Sequence, residues 1–127
     1  KIVINFLKKQ KKIKEILYPY KPSSKSYKLW KKYYSGANGL FSIVIKSKSK
    51  SSVIKFVNSL ELFGIGYSWG GFESLVLLQD LRAKTKYTET RQYLRFAKDE
   101  HIVRLHIGLE DPKDLINDLK QALRKIK

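Results

Sequence analysis

The sequence predicts an α+β fold: a small, mostly antiparallel sheet with helices packed on one face. Three observations carry this. Ile102 to Ile107 alternates, placing Val103, Leu105 and Ile107 on one side and Ile102, Arg104 and His106 on the other. Asp111-Pro112 then opens a helix whose apolar stripe is Leu115, Ile116, Leu119 and Leu123. Upstream, short runs rich in β-branched and aromatic residues alternate with segments of helical period, separated by turn residues.

Taken in order, Ile2, Val3, Phe6, Leu7 and Ile13 recur at helical spacing, which predicts a lysine-rich surface helix over residues 1–14, with a basic amphipathic helix at a membrane as the sharper alternative. Ile16-Leu17-Tyr18 reads as a short strand, stopped by Pro19 and Pro22, each of which biases its predecessor away from helix. Ser23 to Tyr27 is a loop, and Tyr27, Trp30, Lys31 and Tyr34 mark a short aromatic helix. Gly36 to Gly39 has turn chemistry, and Leu40 to Ile45 is a strand. The run Lys46 to Ser52 is polar enough to be a connection. Val53, Phe56, Val57 and Leu60 then define a helix. Leu62 to Ser68 is extended, Gly70-Gly71 a tight turn, and Ser74 to Leu78 a further strand. Residues 80–100 have no strong period and read as a surface excursion or a poorly ordered loop. At the C-terminal helix, Asp111 is the N-cap, Asp114 suits the positive helix start, and Lys120, Arg124, Lys125 and Lys127 suit its negative end.

The chain has 127 residues, a size at which one domain closes a core. With no cysteine it has neither a disulfide framework, nor a cysteine-ligated zinc finger, nor a thiol nucleophile, and a reducing compartment is permitted. No apolar run approaches the roughly 20 residues of a membrane span. The first residues put the apolar stretch before the charges, the reverse of a secretory signal. Methionine is absent and the chain starts at Lys1, which points to a piece of something longer. The formal charge of +16 suggests a phosphate-binding surface, but it comes from 22 Lys and only 5 Arg, and bidentate phosphate recognition favours Arg. A solvated lysine-rich surface accounts for it, and no nucleic-acid partner is expected.

Three segments together resemble one family. KLWKKYYSGANGLFSIVIK (28–46), SLELFGIGYSWGGFESLVL (59–77) and VRLHIGLEDPKDLINDLKQAL (103–123) are similar to the C-terminal domain of the trans-sulfuration enzymes, which use pyridoxal 5'-phosphate (PLP) in cysteine and methionine metabolism. Within that family the Tyr67-Ser68-Trp69-Gly70-Gly71 string resembles the cystathionine β-lyases. The γ-acting relatives more commonly carry Glu at the position of Tyr67 and Leu at that of Trp69. The resemblance implies that residues 1–127 form the small domain and that a large cofactor domain precedes Lys1. It also implies a cytoplasmic enzyme, an amino-acid thioether substrate, and homo-oligomers among full-length relatives.

The resemblance assigns Arg104 to the substrate carboxylate, a role that suits a guanidinium because its fork fixes both position and rotation. Ser68 matches a serine beside that carboxylate, Trp69 a wall of the site that lends a backbone N–H, and Tyr67 a substrate contact or a space-filler. Gly70 and Gly71 permit the tight backbone that brings Ser68 and Trp69 up to the ligand. His106, a lone histidine, reads as a supporting or solvent-facing residue. Glu110 and Asp111 look like acid–base carboxylates, but capping accounts for Asp111.

PLP chemistry also needs a Schiff-base lysine, an Asp on the pyridine nitrogen and a phosphate cradle. In the family these belong to the large domain. Thr85-Lys86-Tyr87 superficially resembles the surroundings of the family's lysine, but it follows the SWGG string instead of preceding it, and no Gly-Gly-His comes after it. Lys86 is therefore expected to be a surface lysine, the isolated chain to bind no PLP, and catalysis to need a chain or domain that supplies the cofactor. The alternatives are a remnant without catalysis and a basic protein that binds nucleic acid or an anionic surface. Exposed apolar surface at a docking edge favours the enzyme fragment.

Overall fold

The computed structural model describes residues 1–79 and 96–127. Five strands form one sheet in the order β1-β2-β5-β4-β3: β1 (Ile13–Leu17), β2 (Leu40–Lys46), β3 (Gly64–Ile65), β4 (Leu75–Gln79) and β5 (Glu100–His106). The β1–β2, β2–β5 and β5–β4 pairings are antiparallel, and the short β3 runs parallel to β4. The helices are α1 (Ile2–Leu7), α2 (Tyr27–Tyr33), α3 (Lys50–Asn58) and α4 (Pro112–Leu123). The predicted α+β class and mostly antiparallel sheet are what the structure shows.

One sheet face is the core. Phe41, Ile43 and Ile45 of β2, Val76 of β4, and Val103 and Leu105 of β5 pack with Leu7 of α1, Val53 and Phe56 of α3, and Leu115 and Leu119 of α4. Each such aliphatic or aromatic side chain taken out of water contributes roughly 1.5–3 kcal/mol. The alternate residues of β5, Ile102, Arg104 and His106, therefore lie on the opposite face. Ile102 and His106 are buried there and Arg104 is half-buried.

Helix α4 starts as its sequence indicates. Asp111 Oδ1 accepts the Lys113 N–H at 2.7 Å, and Pro112 occupies the first helical position. Its buried Asp118 accepts the N–H groups of Glu61 (3.0 Å) and Leu62 (2.8 Å), pinning the segment that follows α3. Helix α3 begins three residues before the predicted Val53. Ser49 is its N-cap, accepting the Ser52 N–H at 3.2 Å, so the KSKSKSS run contributes the first helical turn as well as the connection.

The first helix is shorter than the period implies. It ends at Leu7, turns close from Phe6 to Lys9 and from Leu7 to Gln10, and Ile13 joins the sheet opposite Ile45. The physical reason is that a six-residue helix persists only by burying Val3, Ile4 and Leu7. The lysines beyond it add no apolar face, whereas Ile13 gains a strand partner. The extended 62–68 segment likewise pairs only over Gly64–Ile65, because the backbone beyond it turns to Arg104. Most of the 80–100 stretch, including Lys86, lies outside the described residues.

Candidate substrate-carboxylate site

Arg104, Tyr67, Ser68 and Trp69 come together at the edge of the second sheet face. Arg104 stands on the central strand β5, with Ser42 of β2 and Leu77 of β4 as its cross-strand neighbours. Its Nη2 donates to the carbonyl oxygens of Gly66 (3.2 Å), Tyr67 (2.6 Å) and Ser68 (3.3 Å). Its guanidinium carbon is 5.9 Å from the centre of the Trp69 ring, within cation–π range. All three hydrogen bonds use one nitrogen. A carboxylate fork pairs Nη2 with either Nη1 or Nε, so an incoming carboxylate shares Nη2 with the loop or displaces a carbonyl from it. The Ser68 side chain is exposed and makes no hydrogen bond to a described residue.

The loop that carries Ser68 and Trp69 is fastened along β5 and its extension. The Gly70 N–H donates to His106 Nε2 at 3.2 Å, and the same nitrogen lies 3.2 Å from the Gly71 carbonyl oxygen. His106 is thus buried, not solvent-facing. Gly70 takes φ +82°, the left-handed region that favours glycine, as its turn role requires. Farther along, Glu110 accepts the Ser74 N–H at 2.7 Å and the Ser74 hydroxyl at 2.8 Å, and Ser74 Oγ accepts the Gly108 N–H at 2.9 Å. Burial pushes the Glu110 carboxyl up, but the Ser74 N–H, its own N–H, the Ser74 hydroxyl and nearby His106 outweigh this and leave it below the usual range. Glu110 is therefore an ionised staple with both oxygens engaged.

Sequence reasoning passed over the Glu110–Ser74–Gly108 network, because nothing local to Glu110 indicates a partner 36 residues away. It also missed Asp118, whose place among Leu115, Leu119 and Ala122 is the signal that was available: a carboxylate on an apolar stripe needs buried donors. Around the site Tyr67, Trp69, Phe72 and Leu109 are exposed, with Leu109 tied to Phe72 by a 2.8 Å backbone bond. A separate groove of about 610 Å³ between the Tyr18–Tyr20 segment and α2 is lined by Leu29, Trp30, Tyr33 and Tyr34, and none of its described lining residues is charged.

The model of the Cys/Met metabolism PLP-dependent enzymes matches residues 1–124. The chain belongs to this family. Among curated members, a cystathionine beta-lyase of Bordetella avium is 42% identical over 95% of the chain and 29% of its own length. An L-alanine/L-glutamate racemase of Wolbachia pipientis is 39% identical over 98% of the chain and 30% of its own. Among solved structures, a Campylobacter jejuni protein named as an O-acetylhomoserine (thiol)-lyase, with a pyridoxyl-lysine phosphate, superposes with a TM-score of 0.76 at 31% identity. It is covered over 96% of this chain and 29% of its own. The family member thus spans about 30% of the length of the relatives it matches.

The residues around Arg104 do not fit the family's cofactor. No lysine lies between Leu62 and Leu78 or between Glu100 and Pro112 to form a Schiff base. The start of α4, where a phosphate would gain from the helix dipole, carries Glu110, Asp111 and Asp114 instead. No described helix is long and apolar enough to cross a membrane, and no metal-binding cluster occurs among the described residues.

Proposed function

We propose that this chain is the small C-terminal domain of a PLP-dependent carbon–sulfur β-lyase and supplies its grip on the substrate carboxylate. The observation that carries the reading is Arg104, a half-buried cation on the central strand with the Ser68 backbone and the Trp69 ring beside it. The α-carboxylate is the fixed handle of any amino-acid substrate, and a fork on it sets which Cα bond stands perpendicular to the cofactor ring. The cofactor, held by another part of the cytoplasmic enzyme, supplies the electron sink. What this chain does is bind the carboxylate at Arg104, orient it with Ser68 and the Trp69 N–H, and line the entrance with Tyr67. The exposed edge of Tyr67, Trp69, Phe72 and Leu109 faces the cofactor-bearing part, and the isolated chain neither binds PLP nor turns over substrate.

The Wolbachia relative's name supports a second reading, amino-acid racemisation, which uses the same handle. The two separate in one assay of the PLP-loaded full-length protein. A β-lyase releases homocysteine, pyruvate and ammonia from L-cystathionine, whereas a racemase converts L-alanine to D-alanine and leaves the thioether intact. Racemisation without thiol release overturns the lyase reading, and a visible cofactor band in the purified isolated chain overturns its dependence on a partner domain.

A further inference from the structure

His106 sits one alternation step beyond Arg104 on β5, with 5% of its surface exposed. Its Nε2 is 3.2 Å from both the Gly70 N–H nitrogen and the Gly71 carbonyl oxygen, while Nδ1 is buried with no hydrogen-bond partner among the described residues. A neutral imidazole has one donor and one acceptor nitrogen, so Nε2 satisfies one of these backbone groups at a time. A buried polar atom left without a partner costs about 1–3 kcal/mol, and a leucine at this position removes that cost. The histidine is thus a poor choice for packing and a good one for holding the Gly70 N–H or the Gly71 carbonyl. These two residues follow Trp69 directly, and Gly70 sits at φ +82°, where a small rotation re-aims the residues on either side.

We propose that His106 is a positioning residue for the substrate carboxylate: through Nε2 it holds the Gly70–Gly71 segment, by the Gly70 N–H or the Gly71 carbonyl, so that Ser68 and Trp69 stand beside Arg104. This rests on the carboxylate reading above. His106 does not touch the substrate; it sets where the Trp69 N–H and the Ser68 hydroxyl meet it. Arg104 anchors the first half of the loop by its carbonyls and His106 the second half, so removing His106 frees one end of the segment that completes the site.

The test uses a matched pair in the PLP-loaded full-length protein. Glutamine places an amide near the Nε2 position and keeps reach to Gly70–Gly71. Asparagine places its amide near Nδ1 and falls short. His106→Asn is expected to raise KM for L-cystathionine about tenfold with kcat changed less than about twofold, and His106→Gln to stay within about threefold of the parent. Amide hydrogen exchange over residues 66–74, read without substrate, should speed up in His106→Asn and not in His106→Gln. Equal KM values and equal exchange in the two variants overturn the proposal. Should His106→Asn fail to fold, His106→Leu takes its place with the same expectations. Arg104→Lys serves as the control. If it leaves KM unchanged, the carboxylate reading itself fails; if it raises KM while the asparagine variant does not, only the role of His106 fails.

Discussion

Arg104 Nη2 donates to the Tyr67 carbonyl oxygen at 2.6 Å, so the guanidinium fastens the 66–68 backbone. On the proposed reading it is also the group that grips the substrate carboxylate, and replacing it would remove both. Arg104→Lys keeps the charge and loses the planar fork. In the PLP-loaded full-length protein it is expected to lower kcat/KM for L-cystathionine about 100-fold, near 2.7 kcal/mol. The corresponding amino-acid amide, which lacks the carboxylate, should be turned over about equally by the parent and the variant.

Two glycines of the same loop system should respond differently to alanine. At Gly70 an added Cβ meets nothing within 4 Å, and the cost comes from φ +82° alone, about 1–2 kcal/mol. At Gly108 the Cβ would collide with the Phe72 carbonyl oxygen and the Glu73 backbone. Gly108→Ala should therefore cost several-fold more than Gly70→Ala, measured as urea midpoints.

Two acidic groups give the fold an acid-side limit. Glu110 lies below the usual carboxyl range for the reasons above. Glu100 is lowered first by the Lys14 ammonium, which ion-pairs with it, and then by the Ala97 N–H. A folded-state pKa below the unfolded value contributes stability that is fully present above the unfolded pKa, about 4.3 for Glu. That stability is lost as pH falls through the folded pKa. Denaturant midpoints should hold above about pH 5 and drop below about pH 4, and Glu110→Gln should flatten part of that drop.

Asp118 offers a test of a buried anion held by backbone donors. Asp118→Ala leaves the Glu61 and Leu62 N–H groups without their acceptor and is expected to destabilise the fold by about 1–3 kcal/mol. Ser74→Ala strands the Gly108 N–H and one Glu110 oxygen and should cost a similar amount. The two sites share no hydrogen-bond partner among the described residues, so the double variant should be additive within about 0.5 kcal/mol.

By itself the sequence determined what depends on neighbours a few residues apart. The alternation of β5 is a period of two, the stripe Leu115, Leu119 and Leu123 a helical period, and the Asp111 cap and Gly70 turn are local backbone chemistry. The strings around Ser68 and Arg104 were likewise enough to name the family. Tertiary structure alone decided whatever turns on a distant partner. Ile13 left the helix its spacing implied because Ile45 offered it a strand position. His106 went from an unremarkable histidine to the hold on Gly70–Gly71, Glu110 became a staple for Ser74, and Asp118 took the backbone of Glu61 and Leu62. Each of these contacts spans 32 or more residues of chain. A polar group's partner at that separation is set by how the sheet and helices pack, and no local pattern encodes it.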